Sequence, residues 1–394
     1  MAGSFSGSIV EMNNLPPSWS DFFVRTTYLK PLNSLNYSDS SRELIFTFNQ
    51  FKKKFTFDKI IQLFINSVVQ NITSIRMIHR NSSSTPVKAM LGNTEISASQ
   101  VSRLLHTLPT DVLAETFVAL LNQIKLEKQV THSNELRLID STTISFSAQA
   151  YKWAEFRKTK HGIKIHLKYC YTDNGSMHPE SFTITNAKEH DVNQLENLMD
   201  TQGATYVFDK AYIKYDLMDH FTENQYYFIS RLKDNAIVTV LREDIAPPAD
   251  KLFISQVIAD QRVRLGKPET YQTKEYRLVT YLDEKGTIYK FITNRFDLPP
   301  EKIAEIYKNR WQIELFFRYI KHQFKITKMY STKEQGVKNQ VYLTLIAILL
   351  LELIRLRLGS PHTITIIKSY FDILKFEMSE KFYQKIKAIH YSPK

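Results

Sequence analysis

The chain has 394 residues, of which 43% are hydrophobic and 12% aromatic, and it carries a formal net charge of +12. This length predicts two or three domains rather than one small core, and the apolar content excludes an intrinsically disordered chain. The positive charge favours a polyanionic partner, which is either a nucleic acid or an acidic membrane surface.

Several protein classes are excluded by the sequence. The longest apolar run, Val341 to Ile354, contains Glu352 and is shorter than the roughly 20 residues that cross a bilayer, so it predicts a buried helix and no membrane partner. No charged-then-apolar leader opens the sequence, and the single Cys170 excludes a disulfide framework or a multi-cysteine zinc site. No glycine-rich phosphate-binding motif occurs, so no nucleotide cofactor is expected. We expect a cytoplasmic protein.

The N-terminal part is predicted to be helical. After an opening segment rich in Pro, Ser and Asn, apolar residues recur at helical spacing between residues 57 and 68. Ser97 and Gln100 form a capping-box pattern ahead of a further helix, and Pro109 precedes another. Two helices joined by a short turn are typical of a helix-turn-helix motif that reads DNA, and equally of an ordinary helical hairpin.

From Leu136 the hydrophobic period changes to two, which predicts strands. Five strands are expected, with helices beginning near Asp191 and Lys214, and the order of these elements describes a mixed α/β sheet. Residues 235–297 contain only short β-like stretches and are predicted to form a β-rich insertion. A helix then runs from residue 299 through Gln323, followed by an apolar helix and an amphipathic tail.

Two predicted strands stop at an acidic residue. Asp140 ends the segment LRLID, and Asp209 ends TYVFD. Open α/β sheets build their sites at the carboxyl ends of strands, so both acids are candidates for chemistry. Taken singly, each is more often a turn-forming aspartate or a helix N-cap.

A sharper pattern occupies the predicted helix near residue 310. Tyr307, Arg310, Glu314 and Lys321 are spaced by three, four and seven residues, which places them within roughly 60° of one helix face. The ordinary alternative is a solvated face with an i,i+4 salt bridge between Arg310 and Glu314.

The chemistry favours a metal site. Three clustered carboxylates, Asp140, Asp209 and Glu314, would repel one another unless cations intervene, and two Mg²⁺ ions (or Mn²⁺ as a substitute) reverse that preference. Such an ion pair supports in-line phosphoryl transfer. Arg310 and Lys321 would then grip flanking phosphates, and Tyr307 would donate to a phosphate oxygen or stack.

These motifs resemble those of the DDE transposases of bacterial insertion sequences, specifically insertion-sequence family four. Its Tyr-x2-Arg-x3-Glu-x6-Lys signature is matched in full from Tyr307 to Lys321, and DSTTI at Asp140 is similar to its first-Asp motif. KHGIKIHL, the later NAKEHD and FISRLKDNA are similar to further family segments. The resemblance covers about residues 90 to 355.

The resemblance implies an RNase H-like fold with a β-rich insertion, in which Asp140, Asp209 and Glu314 are catalytic and bind the metals. It also implies cut-and-paste transposition in a homodimeric complex that holds double-stranded DNA, both terminal inverted repeats and target, in the bacterial nucleoid. Residues predicted to contact DNA or its phosphates share this region: Tyr307, Arg310, Lys321, Lys210, Tyr212, Lys164, Arg231 and Trp311.

The sequence departs from the family at two places. The second-Asp motif usually continues Arg-Gly-Tyr, but Asp209 is followed by Lys-Ala-Tyr, so a basic residue and the tyrosine are kept. Relatives stack a flipped base of a hairpin intermediate on a tryptophan of the insertion, whereas the tryptophans of this chain lie elsewhere, at positions 19, 153 and 311. A tyrosine of the insertion is expected to substitute, with Tyr271, Tyr276 and Tyr281 as candidates.

Charge is concentrated around the proposed site. Residues 151–170 hold six basic side chains against one acidic, and residues 301–340 hold nine against four. These runs either follow DNA phosphates or form solvated faces. His161 and His166 do not form a metal pair, because a spacing of five residues places them on opposite faces of a strand.

The predicted domain organisation combines these elements. Residues 1–130 form an N-terminal helical region that binds the DNA ends, and residues 361–394 form a C-terminal helical tail that serves dimerisation. The catalytic core lies between them, in two parts (131–234 and 298–360) separated by the insertion at 235–297. Two alternative functions remain: a structure-selective nuclease on the same fold, and an inactive copy that only binds DNA as a regulator.

Overall fold

The computed structural model describes residues 27–128, 135–157, 160–172, 177–245, 256–267, 274–357, 359–360 and 362–373. The chain divides into two compact units. One unit contains residues 1–130 and 319–394, and the other contains residues 131–318.

The first unit is helical in its described part. Its apolar residues form the buried faces of the helices; Phe57, Ile60 and Phe64, for example, are fully buried on one helix, as the spacing predicts. Its helices are α1 (Lys30–Asn33), α2 (Asp39–Asn49), α3 (Phe57–Val69), α4 (Ile75–Ser82), α5 (Thr85–Met90), α6 (Ala98–Thr107), α7 (Thr110–Lys128), α12 (Glu334–Arg357) and α13 (Ile364–Ile373).

Helices α6 and α7 form the predicted helical pair. The Ser97 side chain accepts from the Gln100 backbone, and the Gln100 side chain accepts from the Ser97 backbone, so the capping box is confirmed. The two helices meet at 76°. The exposed side of α7 is mixed rather than basic, since it includes Asp111, Val118, Asn122, Lys125, Leu126 and Glu127. Recognition of DNA by this pair therefore stays a prediction.

Helix α12 is the apolar helix that the sequence predicts, but it is longer than the apolar run itself. By length and composition it could cross a membrane, and α6 with α7 would pass the same test as one bent span. However, 83% of the most apolar window of α12 is buried, which is typical of the core helix of a folded unit. It packs against α3, α6 and α7, so residues 319–357 group with the N-terminal helices and not, as predicted, with the sheet.

The second unit is built on one mixed sheet. Its strands follow the order β2-β3-β1-β5-β6-β10-β9-β8-β7, and β4 pairs with β3. They are β1 (Leu136–Phe146), β2 (Glu155–Arg157), β3 (Lys160–Tyr171), β4 (Met177–Asn186), β5 (Thr205–Phe208), β6 (Tyr227–Arg231), β7 (Val238–Ile245), β8 (Gln256–Leu265), β9 (Tyr276–Leu282) and β10 (Ile288–Thr293).

The strand directions identify the fold class. Strand β1 is parallel to β5, and β5 is parallel to β6, whereas β3 is antiparallel to both β1 and β4. This is the mixed sheet of an RNase H-like core, as predicted. The central strand β5 (TYVF) is buried throughout, as expected for a parallel strand covered on both faces. Short helices α8 (Leu195–Leu198) and α9 (Tyr215–Glu223) supply the crossover connections.

The insertion extends this sheet. Strand β10 pairs with β6, and β9, β8 and β7 follow in antiparallel order, so the β-rich segment predicted after residue 235 continues the catalytic sheet. Sequence periodicity marks the strands but not their partners, which is why a separate insertion was expected.

The predicted single helix from residue 299 to Gln323 is two helices. Helix α10 spans Pro300–Lys308 and helix α11 spans Trp311–Gln323, with a turn at residues 309 and 310. The backbone N–H groups of Arg310 and Ile313 donate to carbonyls three residues earlier instead of four. Tyr307 and Glu314 therefore lie on different helices, and the single stripe predicted from the spacing is interrupted.

A buried ion pair connects the insertion to α10. Arg277 on β9 donates from Nε and Nη2 to the two carboxylate oxygens of Asp260 on β8, at 2.8 and 2.6 Å. Its Nη1 donates to the carbonyl oxygens of Arg295 and Leu298 in the segment that leads into α10. The planar fork of arginine is needed to reach all of these acceptors.

We expect Arg277→Lys to destabilise the second unit by about 2 kcal/mol, because a lysine ammonium cannot replace the bidentate contact and leaves buried acceptors without a donor. The measurement is the thermal unfolding temperature, which should fall by several degrees. Arg264→Lys is the matched control, since Arg264 on β8 makes a half-exposed pair with Glu275 at 3.6 Å and should change little. Equal effects of the two substitutions would contradict this role.

Candidate active site

Two aspartates are neighbours at one edge of the parallel strands. In the register of β1 and β5, Ile139 pairs with Phe208, so the next residues, Asp140 and Asp209, follow side by side. Strand β5 ends here, but β1 continues to Phe146, so Asp140 does not end its strand as predicted. The end of β5 leaves this edge open beside Asp140, where α/β sheets build their sites.

Arg310 links Asp140 to Glu314. Its Nη2 donates to Glu314 Oε1 at 2.6 Å, and its Nη1 lies 3.5 Å from Asp140 Oδ2. The side chains of Asp140, Arg310 and Glu314 are 20%, 17% and 31% exposed, so the cluster is partly buried and open to solvent on one side. The turn before α11 carries Arg310, and the first turn of α11 carries Glu314.

The carboxylates influence one another electrostatically. Burial raises the pKa of Asp140 to about 6, and the negative charges of Glu314 and Asp209 raise that pKa as well. The backbone N–H of Ser141 and the guanidinium of Arg310 oppose the increase without cancelling it. The acidic cluster therefore lacks enough positive charge, which is the condition that a bound cation relieves.

Two tyrosines adjoin this cluster. Burial raises the pKa of Tyr307 to about 12; Asp209 raises it too, whereas Arg310 and Arg231 lower it. Burial also raises the pKa of Tyr212, with further contributions from Asp140 and Asp209. The Tyr307 ring packs against Phe291 of β10, with centroids 4.7 Å apart. The described residues therefore bring both predicted tyrosines close to the acids.

The remaining predicted contacts are less closely tied to the acids. Lys210 directly follows Asp209, and its ammonium lies 2.9 Å from exposed Asp234. Arg231 stacks on Tyr289 at the end of β6. Trp311, at the start of α11, is 48% exposed, and Arg318 lies over its ring. Lys321 lies further along α11 in the other unit, and burial lowers its pKa. The roles of these four residues stay predictions.

Lys164 is held within the protein. Its ammonium donates to the Glu189 carbonyl oxygen at 2.9 Å and lies 3.3 Å from Asp191 Oδ1. Such engagement does not favour the predicted contact between Lys164 and a DNA phosphate. Burial acts to raise the pKa of Asp191, but its hydrogen-bonding and basic neighbours lower that pKa to about 2. Asp191 was not singled out from the sequence, although it ends NAKEHD, one of the family-like segments.

The alternative interpretations of the motifs are partly correct. Asp209 does cap a short 3-10 turn, since its side chain accepts from the Ala211 backbone at 3.4 Å. Arg310 and Glu314 do form an i,i+4 ion pair. However, that pair is partly buried and shared with Asp140, so it is not a solvated face.

The insertion offers fewer stacking residues than expected. Tyr276 is fully buried, and its hydroxyl donates to Asp219, so it is not available to stack on a base in this structure. Tyr281 is half-buried, with its ring 6.5 Å from that of Phe291. Tyr271 lies outside the described residues.

The donor set fits divalent metal ions. Carboxylate oxygens are the ligands that Mg²⁺ prefers, and proteins hold this ion through only one or two carboxylates, with water and substrate phosphates completing its coordination. Within the described ranges, no group of three or more His, Cys, Asp or Glu side chains is arranged around a single ion. A pair of ions that share Asp140 needs no such group.

Comparison with known proteins identifies the class. The family model described as the transposase DDE domain matches residues 131–350, which is more than half of the chain. The chain therefore belongs to the DDE-domain transposase family.

The relatives are proteins of bacterial insertion sequences, which confirms the resemblance found in the sequence. The protein named as transposase for element IS5377 of Geobacillus stearothermophilus is 27% identical over 320 residues, covering 81% of this chain and 78% of its own. A protein of Sinorhizobium fredii named as transposase y4zB is 33% identical and covers 62% and 68%. The transposase for element IS231B of Bacillus thuringiensis is 23% identical and covers 56% of each chain.

Among solved structures, the piggyBac transposase synaptic complex with hairpin DNA aligns with 97% of this chain and 84% of its own. Its identity is 10% and its TM-score 0.47, a likeness too weak to bear on the function of this chain.

We expect Asp140→Asn to raise the thermal unfolding temperature of the metal-free protein at about pH 8. The folded-state pKa is raised, so the ionised carboxylate destabilises the fold above that pKa, by up to about 3 kcal/mol, and the cost diminishes as the pH falls toward the unfolded value near 4. The gain should therefore shrink at about pH 4.5, and excess Mg²⁺ should stabilise only the wild type. Exposed Glu284→Gln is the control. A gain that does not depend on pH would contradict this explanation.

Proposed function

We propose that this transposase binds the terminal inverted repeats of its insertion sequence, cleaves the element ends by metal-dependent phosphoryl transfer and joins their 3′-hydroxyls to target DNA. The observation that carries the proposal is the cluster of Asp140, Asp209 and Glu314, in which burial and two neighbouring carboxylates raise the pKa of Asp140. The relatives that are named as transposases of insertion sequences support it.

Two divalent ions, Mg²⁺ or Mn²⁺ as a substitute, are proposed to bind at this cluster. Asp140 would contribute to both ions, Asp209 to one and Glu314 to the other. When bound, such ions activate a water or 3′-hydroxyl nucleophile and stabilise the leaving oxygen of an in-line displacement. No covalent intermediate between protein and DNA is needed for this reaction.

The basic and phenolic residues around the acids would position the DNA. Arg310 now holds Asp140 and Glu314, and its fork is suited to a phosphate once the acids have bound cations. Tyr307 and Tyr212 are placed to donate to phosphate oxygens or to waters beside Asp209. Further phosphate or DNA contacts are assigned by position and charge to Lys210, Arg231, Trp311 and Lys321.

The assembly would follow from the DNA substrate. The helical region at residues 1–130 is proposed to bind the element ends, and two copies would pair two ends in a synaptic complex, with the C-terminal tail assisting. The net charge of +12 favours this polyanionic partner and predicts binding that weakens steeply with salt. We place the protein in the bacterial cytoplasm, at the nucleoid. A hairpin at the element end would need a stacking aromatic, for which Tyr281 is the candidate among the described residues.

We expect Asp209→Asn to bind end DNA with nearly unchanged affinity but to fail to nick it, because Asn removes a metal-binding charge while keeping the size of the side chain. The loss in single-turnover nicking rate should be at least 10³-fold, on the order of the change caused by removing a dominant electrostatic contribution. Nicking of a labelled end duplex in Mg²⁺ or Mn²⁺ measures it, with exposed Glu284→Gln as the control. Retained Mg²⁺-dependent cleavage would refute the assignment, and wild-type protein that binds but never cleaves would indicate an inactive regulator.

Strand transfer separates a transposase from a nuclease on the same fold. We expect a pre-cleaved end with a free 3′-hydroxyl to be joined to a supercoiled target plasmid, because the same metal cluster accepts a hydroxyl in place of water. A matched end with a 3′-deoxy terminus should give no joined product. Cutting of branched or RNA–DNA substrates without any joining would instead identify a structure-selective nuclease.

A further inference from the structure

A second polar cluster lies directly behind the catalytic strand. The carboxylate atom Asp191 Oδ1 accepts a hydrogen bond from Ser141 Oγ at 2.6 Å. The same oxygen lies 3.3 Å from Lys164 Nζ and 3.3 Å from His166 Nδ1. One carboxylate oxygen thus connects β1, β3 and the short 3-10 turn that begins at Asp191.

This cluster and the metal-site cluster occupy opposite faces of the sheet. Consecutive residues of a strand point to opposite faces, so Ser141 points away from the side chain of Asp140. Ser141 pairs with His166 across β1 and β3, which places His166 and Lys164 on the face of Asp191. On the other face, Tyr169 (two registers from Leu167, the partner of Asp140) packs against Phe316 of α11.

Ser141 is the direct connection between the two faces. Its backbone N–H donates to Asp140 Oδ1 at 2.8 Å, while its hydroxyl donates to Asp191 on the opposite side. The direction of that N–H depends on the backbone of Ser141, and the hydroxyl contact restrains that backbone. This matters because β5 has ended at Phe208, so only β3 still pairs with β1 at this point.

The cations around Asp191 are well buried. His166 is fully buried, and its Nε2 contacts Thr185 Oγ1 at 2.9 Å. The Lys164 side chain is 15% exposed and also donates to the Glu189 carbonyl. A carboxylate at this position offsets the cost of keeping this basic side chain out of water, so the geometry around it is well determined.

We propose that Asp191 is a positioning residue for the phosphoryl-transfer site: it fixes Ser141, and through Ser141 it orients the Asp140 carboxylate for metal binding. The inference rests on the proposed function, because it assumes that Asp140 binds metal. Groups that orient a metal-binding side chain contribute about 10- to 100-fold in metal affinity or activity. Asp191 itself touches neither the DNA nor the reacting atoms in this assignment.

The test separates binding from chemistry in the full-length protein. Asp191→Ala should reduce the single-turnover nicking rate about 10- to 100-fold and raise the Mg²⁺ concentration for half-maximal nicking, with the Kd for end DNA unchanged within about threefold. Asp191→Asn keeps an oxygen acceptor for Ser141 and should recover part of the lost rate. A purely structural role would not shift the Mg²⁺ dependence.

The chain offers a matched control on the same strand. Asp200 accepts from Lys168 at 2.5 Å, so it forms the same kind of aspartate–lysine pair with β3. Lys168 pairs across β1 with Ile139, and the Asp200 side chain is 49% exposed. Asp200→Ala should therefore leave the nicking rate and the Mg²⁺ dependence within about twofold of wild type, even if it lowers the unfolding temperature.

A double-mutant cycle tests the route through Ser141. Ser141→Ala removes the hydroxyl but keeps the backbone N–H, so it should slow nicking in the same direction as Asp191→Ala. If the two residues act through one contact, the double variant should be hardly slower than Asp191→Ala alone. Rates that multiply as independent effects would contradict the route.

The possible failures are distinguishable. If Asp191→Ala and Asp191→Asn both nick at the wild-type rate and with the wild-type Mg²⁺ dependence, the positioning role is refuted while the proposed function stands. Equal losses in Asp191→Ala and Asp200→Ala, in parallel with their unfolding temperatures, would also refute it. If Asp209→Asn retains nicking, the proposed function itself fails, whatever the Asp191 variants do.

Discussion

The parallel pairing of β1 with β5 is the constraint on which the site depends. It places Asp140 beside Asp209 at the point where β5 ends, and it does so through backbone hydrogen bonds that do not depend on either side chain. The two acids are thus held together despite their repulsion, and α11 adds Glu314 through Arg310. Strand geometry overcomes an electrostatic cost that cations would then relieve.

Arg310 has a particular place in this arrangement. It lies in the turn between α10 and α11, so its guanidinium reaches back to Asp140 while still pairing with Glu314. In the metal-free protein it is the positive charge nearest to the acids, yet burial still raises the pKa of Asp140. A guanidinium partly compensates a cluster of this kind without coordinating it, which is suited to a site that must accept metal and phosphate together.

The surroundings of the site explain why so much of the chain is needed to build it. The insertion strands continue the sheet, and Arg277 connects them to the segment before α10, which carries Tyr307. On the other face, Asp191 joins the strand after Asp140 to β3. The acids are therefore supported from the insertion on one side and from behind the sheet on the other.

The sequence determined the RNase H-like order of strands and helices, the acids Asp140, Asp209 and Glu314, and the capping box of α6, because period, motif spacing and capping depend on residues near in the chain. Tertiary structure decided what distant residues settle: the turn that separates Tyr307 from Glu314, the continuation of the sheet into the insertion, the grouping of α12 with the N-terminal helices, and the engagement of Lys164 by Asp191. Strand partners and buried ion pairs join residues far apart in sequence, and no local pattern records them.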